Sequence, residues 1–466
     1  MTPQEAYSHL SRQFRSRPNP SVSDRLHRLK SLRTTLLNRQ SDIQEALWKD
    51  FQKPSYEVDL TEIAATIFEV NHAIRHLKSW IKPRRKKTPL YLLGTTTDVV
   101  YHPKGPSLII TPWNYAILLT MGPVIHAVAA GCPFVVKPSE NTPHASRLLK
   151  DIISEVFPTD EAIVLEGDRE LSKELLSLPF SHIHFTGSVA VGKVVMEAGS
   201  KHLSSVTLEL GGKSPVYVDE TADLKTAARG ICFGKFSNAG QTCIAPDYVL
   251  VHKGVKKALE QELIAQIKHF YGDLPAERKG AAYARIINPA HYDRLQSMFD
   301  EAVLAGCNVA FGGELDADSR YVEPTILTDV PPLSKLLQEE IFGPILPLIE
   351  VGSQAEAVAE ILSRPPPLST YIFSTKRGIA ESFSAAVRTG AVCLNTTLLQ
   401  FVQPFGPFGG EGNSGIGRSH GQAGFKAFSN EQVVMKRNWG AALLHVVQPP
   451  YSPLSDKFTK LLRRLG

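Results

Sequence analysis

Cysteine is scarce in this 466-residue chain: five thiols lie at 132, 232, 243, 307 and 393, and none forms a Cys-x-x-Cys pair. An odd, scattered set excludes a disulfide framework and a thiolate zinc site, and fits a reducing, cytoplasmic compartment. An excess of one charge is also missing. The 51 Lys and Arg against 46 Asp and Glu leave a net +5, too little for this length to call for nucleic acid or an anionic membrane. No unbroken apolar run is long enough to span a bilayer. Residues 105–136 carry no Asp, Glu, Lys or Arg, yet Pro112, Asn114, Pro123, His126 and Pro133 break them into strand, loop, helix and strand. The first 17 residues have no apolar centre, so no signal peptide is expected. His-Glu-x-x-His is absent and no metal is expected; the histidines of Ser181-His182-Ile183-His184 are placed on opposite faces of a strand.

What is present is the composition of a folded soluble chain, 43% hydrophobic and 21% charged, long enough for two or three domains. Residues 23–53 and 58–81 space their leucines and other apolar side chains as amphipathic helices do. Lys82-Pro83-Arg84-Arg85-Lys86-Lys87 reads as a solvated linker, and residues 95–101 as an extended ribbon. Strands at 108–111, 134–137, 163–166, 183–186 and 206–210 then alternate with helices at 143–157 and 189–200, the pattern of a parallel α/β sheet. A second α/β run follows Gly211, with helices near 222–236 and 255–270 and strands at 248–251, 369–373 and 391–395. Residues 404–417 are rich in Gly and Pro, and 457–464 form a basic amphipathic tail expected to dock on a partner subunit or stand in solvent.

Cys243 lies among small and polar neighbours, Asn238-Ala239-Gly240-Gln241-Thr242, which leave a substrate room to reach the thiol. A reactive cysteine needs such access, and donors that favour the thiolate. Glu209, 34 positions earlier, offers a carboxylate base. Phe185-Thr186-Gly187-Ser188 closes a strand and opens a helix, where a phosphate-binding turn belongs. Gly187 and Gly192 stand five apart with no glycine between, so the usual Gly-x-Gly-x-x-Gly spacing is absent. Lys137 and Glu140 follow another strand and can grip ribose hydroxyls; Asn114 offers an amide to an oxyanion. Glu340 and Phe342 precede a Gly-Pro turn, where an acid and a ring can hold a ribose and wall a flat heterocycle. Each of these alone is more often an ordinary core, turn or surface residue.

Together they resemble the aldehyde dehydrogenases, within them the short class 3 type that includes fatty aldehyde dehydrogenases. The resemblance covers nearly the whole chain and is densest at residues 208–214, 240–246 and 340–344. It implies an α/β architecture with a Rossmann-like parallel-sheet NAD(P)-binding domain (1–82 and 105–210) and an α/β catalytic domain (211–400). A bridging, oligomerisation segment (83–104 and 401–466) completes it. It further implies oxidation of an aldehyde to a carboxylic acid through a thioester, with Cys243 as nucleophile, Glu209 as base, Glu340 in reserve and Asn114 as oxyanion donor. Lys137 and Glu140 would contact the adenosine ribose, and Glu340 and Phe342 the nicotinamide side. Thr186, Gly187, Ser188, Gly192, Leu210 and Gly211 would line the rest of the cofactor site.

Ala116-Ile117-Leu118 depart from the class 3 pattern and, with Leu398-Leu399-Gln400-Phe401, point to a hydrophobic aldehyde. Glu140 would repel a 2′-phosphate, so NAD is favoured, with NADP also open. A homodimer is expected through residues 95–101, and no apolar anchor precedes Gly466. Two rival readings are acylation of coenzyme A, against which Glu209 stands, and a catalytically silent protein of the same fold, against which the intact Cys243, Glu209 and Asn114 stand.

Overall fold

The computed structural model describes all residues except 281–282, 440–445, 447 and 466. The expected segments 211–400 and 401–466 are therefore described save at those positions. The strands Ser107–Ile110, Phe134–Lys137, Ala162–Val164, His182–Gly187 and Ser205–Leu210 are rich in apolar residues and mostly buried, as a sheet covered on both faces requires. They form one parallel sheet, with the short strand Gly415–Ile416 added antiparallel beside Ser205–Leu210. Ser107–Ile110 and His182–Gly187 are neighbours from which the chain winds in opposite directions. Ligands of open α/β sheets bind outside the carboxyl ends of strands at such a switch point.

A second sheet has seven strands, parallel except for the edge strand Asn308–Phe311. Pro215–Val218, Thr325–Thr328 and Ile345–Val351 belong to it and are absent from the sequence reading. Gly211 and Gly212 carry the chain from Glu209 in the first sheet to Pro215 in the second.

The third sheet corrects several expectations. Arg84–Lys86, read as linker, pairs with Thr95–Pro103, and Ser429–Arg437 pairs along the other side. Thr95–Pro103, expected to meet a partner, is thus the middle strand with both sides paired, and the outer strands are the short Arg84–Lys86 and the nine-residue Ser429–Arg437, whose outer edge is unpaired among the described residues. Residues 23–53 are two helices, Val22–Asn38 and Gln40–Phe51. Residues 58–81 open with a π turn at Asp59–Ala64 before the α-helix Ala65–Ile81. His182 and His184 share one face, because residues two apart on a strand point the same way. Their rings lie 4.6 and 6.2 Å from that of Phe428.

Candidate active site

Cys243 stands on the connection between helix Leu224–Phe236 and strand Tyr248–His252. Just before it, Asn238 (φ 53°), Ala239 (φ 50°) and Gly240 (φ 72°) take left-handed backbone in succession. The first two cost on the order of 1–3 kcal/mol each, a strain that persists only where the surroundings over-determine it. Here they do. The Asn238 N–H donates to Glu57 at 3.0 Å, and its amide donates to the backbone carbonyls of Asn114 (2.9 Å) and Gln241 (3.2 Å). The Gln241 amide donates to Arg285 and Asn238 carbonyls and accepts from the Ile287 N–H. A Cβ on Gly240 would stand 2.4 Å from the Gly343 carbonyl oxygen, so only glycine fits. Tyr115 holds Thr242 at 2.7 Å, and the Tyr371 hydroxyl donates to the Ile244 carbonyl at 2.6 Å. The thiol is fixed from both sides.

Two cavities meet at Cys243, Glu209 and Thr186. One, of about 250 Å³, is walled by Trp113, Asn114, Gly187, Ser188, Leu210, Gly211, His291, Arg294, Glu340 and Phe342. The other, of about 40 Å³, is lined by the apolar Leu118, Leu119, Phe401, Val402 and Phe408 and by the polar Glu69, His126, His184, Ser419 and His420. Ten of the thirteen sequence-predicted site residues therefore surround one space, while Lys137, Glu140 and Gly192 do not line it. Lys137 ends its strand buried and paired with the half-exposed Glu140. Gly192 lets its helix approach the sheet, since a Cβ there would meet Leu210 at 2.6 Å. The Asn114 amide donates one hydrogen bond to the Gln241 carbonyl at 2.9 Å. Gly211 makes room for a carboxylate, because an added Cβ would fall 2.0 Å from an oxygen of Glu340.

The sequence model of the aldehyde dehydrogenase family matches residues 3–434. The chain belongs to the aldehyde dehydrogenase family. It is 43% identical over 439 residues, 94% of each chain, to the 4,4'-diaponeurosporen-aldehyde dehydrogenase of Staphylococcus aureus. Over 452 residues, 97% of this chain and 92% of the relative, it is 38% identical to aldehyde dehydrogenase family 3 member A2 of Mus musculus. A solved structure of Staphylococcus aureus AldH in a substrate-bound state superposes with a TM-score of 0.93 at 40% identity, covering 99% of both chains.

In this aldehyde dehydrogenase the charges at the site do not favour a thiolate, contrary to the expectation for Cys243. Burial, then the charges of Glu340 and Glu209, push its thiol up to about 12, outweighing the backbone N–H groups of Cys243 and Ile244. Burial likewise pushes Glu209 up to about 7; Ser419 donates to its Oε1 at 2.7 Å, while Oε2 has no partner among the described residues. Glu340 is raised to about 8 by burial and by the charge of Asp247. The enzyme also carries residues the sequence reading passed over. Glu69, His126, Ser419 and His420 gather from distant segments onto one cavity wall. Only the placement of His126 inside an uncharged stretch, and of Ser419-His420 just past the glycine-rich run, could have marked them.

Proposed function

We propose that this aldehyde dehydrogenase oxidises a hydrophobic aldehyde to its carboxylic acid with Cys243 as nucleophile and Glu209 as base. The observation that carries this reading is the position of Cys243 and Glu209 where a small, largely apolar cavity meets a larger one walled by Asn114, Arg294 and Glu340. Leu118, Leu119, Phe401 and Phe408 support an apolar substrate, and the 43% identical relative is itself named for 4,4'-diaponeurosporen-aldehyde.

The fit of NAD(P) rests on the glycine at 211, which admits the Glu340 carboxylate, and on Ser188, which caps helix Val189–His202 at the edge of the same cavity. Glu340 and Phe342 would hold the nicotinamide side, Thr186 to Ser188 with Leu210 and Gly211 the phosphates and the wall. Lys137 and Glu140 would hold the adenosine ribose, and Glu140 favours NAD over NADP by repelling a 2′-phosphate. When bound, the nicotinamide accepts the hydride that leaves the substrate carbon.

The chain's own residues do the remainder. Cys243 sulfur bonds to the carbonyl carbon as the thiol proton passes to Glu209, and the amide of Asn114 with the Cys243 N–H stabilises the oxyanion. After hydride loss a thioester remains on Cys243. Once emptied, Glu209 takes a proton from water, the water oxygen bonds to the acyl carbon, the C–S bond breaks and the sulfur regains a proton from Glu209. Glu209 is favoured over Glu340 because it adjoins both cavities and has one oxygen free.

The outer edge of Ser429–Arg437, unpaired among the described residues and with Val433 and Met435 exposed at 63% and 51%, supports a homodimer formed through that edge. The five free thiols support a cytoplasmic setting, and the two main sheets a division into cofactor and catalytic domains. Cys243→Ala should abolish NADH formation from decanal; turnover at the parent rate would sink the mechanism. Acid formed without coenzyme A separates hydrolysis from acyl transfer.

A further inference from the structure

Oxidising an aldehyde with water yields a carboxylate and reduced nicotinamide, and releases two protons. The first, given up by the Cys243 thiol, is lodged on Glu209, which is 7% exposed. It must leave before Glu209 can take a proton from water in the same turnover, and the established family reaction does not say by what route.

Three buried polar atoms of residues lining the small cavity lack a partner among the described residues: Glu209 Oε2, His126 Nδ1 and His184 Nδ1. Buried polar atoms are seldom left so, and about 40 Å³ has room for about three waters, each needing about 10–15 Å³. His126 faces two ways. Its Nδ1 is free while its Nε2 lies 2.7 Å from Glu69 Oε1. Glu69 also accepts from the Gly421 N–H at 2.7 Å and stands 3.6 Å from His420. Burial would raise Glu69, but hydrogen bonds from His126 and His420 outweigh it and hold it well below the carboxylate range.

From Glu69 the helix Ala65–Ile81 leads outward. Glu69, His72 and His76 are spaced i, i+3 and i+7, one face of the helix. The rings of His72 and His76 are 4.5 Å apart, and both pack against Phe405, itself 76% exposed. His76 reaches solvent.

We propose that His126, Glu69, His72 and His76 form a proton exit that empties Glu209 to solvent, a role that rests on the reading of Glu209 as base. Glu209 gives its proton to a water in the small cavity, and that water passes one to His126 Nδ1. His126 then releases its Nε2 proton to Glu69, which hands it on by way of His72 to His76 and bulk water. Every donor is restored as the next proton arrives. The groups facing Glu209 are Arg418 and His420 just past the glycine-rich segment, His184 on the adjoining strand, His126 and Glu69 on two helices, and Cys243. Those facing His72 are His76, Glu69, Arg75 and His126. Burial holds His184 down to about 3, so it serves as a neutral wall and not as a carrier.

The test is single turnover of the full chain with NAD and decanal in dilute buffer, following the NADH burst and then the decay of the acyl-enzyme. In His126→Gln and His72→Gln the burst should keep its amplitude. General acid–base assistance is typically worth about 10²–10⁴-fold, so blocking the exit should slow acyl-enzyme decay by at least about tenfold. Imidazole at high concentration should restore it, and the pH profile of the decay should shift. His72→Gln, nearer the surface, decides the matter if His126→Gln does not fold. Decay at the parent rate in dilute buffer overturns the proposal. So does a slowing that imidazole does not relieve and that leaves the pH profile in place, which marks a packing role. A parent enzyme that turns over decanal with no trappable acyl-enzyme on Cys243 overturns the Cys243 reading, and the exit with it.

Discussion

Replacing Glu209 by Gln should stabilise the protein while stopping its cycle. Burial raises this carboxyl from 4.5 to about 7, a shift of about 2.5 units at 1.36 kcal/mol each, so its ionised form costs the fold about 3 kcal/mol. The sign follows from the direction. Below pH 4.5 the carboxyl is protonated in folded and unfolded chains alike and costs nothing; above pH 7 it is ionised in both and the full penalty applies. Glutamine removes the charge and keeps an oxygen to accept from Ser419. Its amide N–H₂ replaces an oxygen that already has no partner, an offset of about 1 kcal/mol. The net gain is about 2 kcal/mol at pH 9 and close to zero at pH 5. Unfolding entropy of about 2.1 cal/mol/K per residue over 466 residues is about 1 kcal/mol/K, so Tm should rise by about 2 °C at pH 9 only. Scanning calorimetry of the nucleotide-free proteins at the two pH values measures this. A variant whose Tm relative to the parent is the same at pH 5 and pH 9 refutes the account of a strained, desolvated base.

Gly211→Ala should weaken NAD binding by at least about tenfold, the worth of about one charge-assisted hydrogen bond. The new Cβ at 2.0 Å displaces the Glu340 carboxylate, the end of a flexible side chain, so Tm should hardly move; an unchanged Kd by fluorescence quenching removes Glu340 from the nucleotide site. Lys53→Met breaks an ion pair 2.8 Å long whose partners are fully buried, leaving Glu62 charged beneath the Ile117 and Leu118 N–H groups. That loss is worth about 3–5 kcal/mol, or about 3–5 °C on the same entropy scale, and an unshifted Tm would contradict it.

The strands of the first sheet were legible because each is a compact apolar run between turn signals; 134–137 and 206–210 differ from the observed limits by a residue at most. Ile345–Val351 was not, since Pro347 lies within it and Glu350 interrupts its apolar pattern. Cys243 and Glu209 could be singled out because their small neighbours announce a turn or an open approach. Glu69 and His126 could not. They are 57 residues apart on two helices, and what makes them a pair is a 2.7 Å contact that no local pattern encodes. The free edge at Ser429–Arg437 was equally hidden, because which strand of a ribbon ends up in the middle depends on a partner more than 300 residues away.

The raised thiol of Cys243 bears on how the proposed reaction can start. Moving its proton to Glu209 before addition spans the gap between about 12 and about 7, which at 1.36 kcal/mol per unit costs about 7 kcal/mol. Only about one molecule in 10⁵ would hold thiolate and protonated acid together, despite the two backbone N–H groups beside the sulfur. A free thiolate waiting for substrate is therefore not the starting state of this pocket. Proton loss has to accompany carbonyl addition, or follow the entry of positive charge beside Glu340 and Glu209, whose negative charges are part of what holds the thiol up. The order of events can be read from thiol alkylation. Iodoacetamide should react slowly with the nucleotide-free enzyme at pH 7 and faster once NAD, with its cationic ring, is present; fast alkylation without nucleotide would mean that the sulfur is ionised already and that the carboxylates do not govern it.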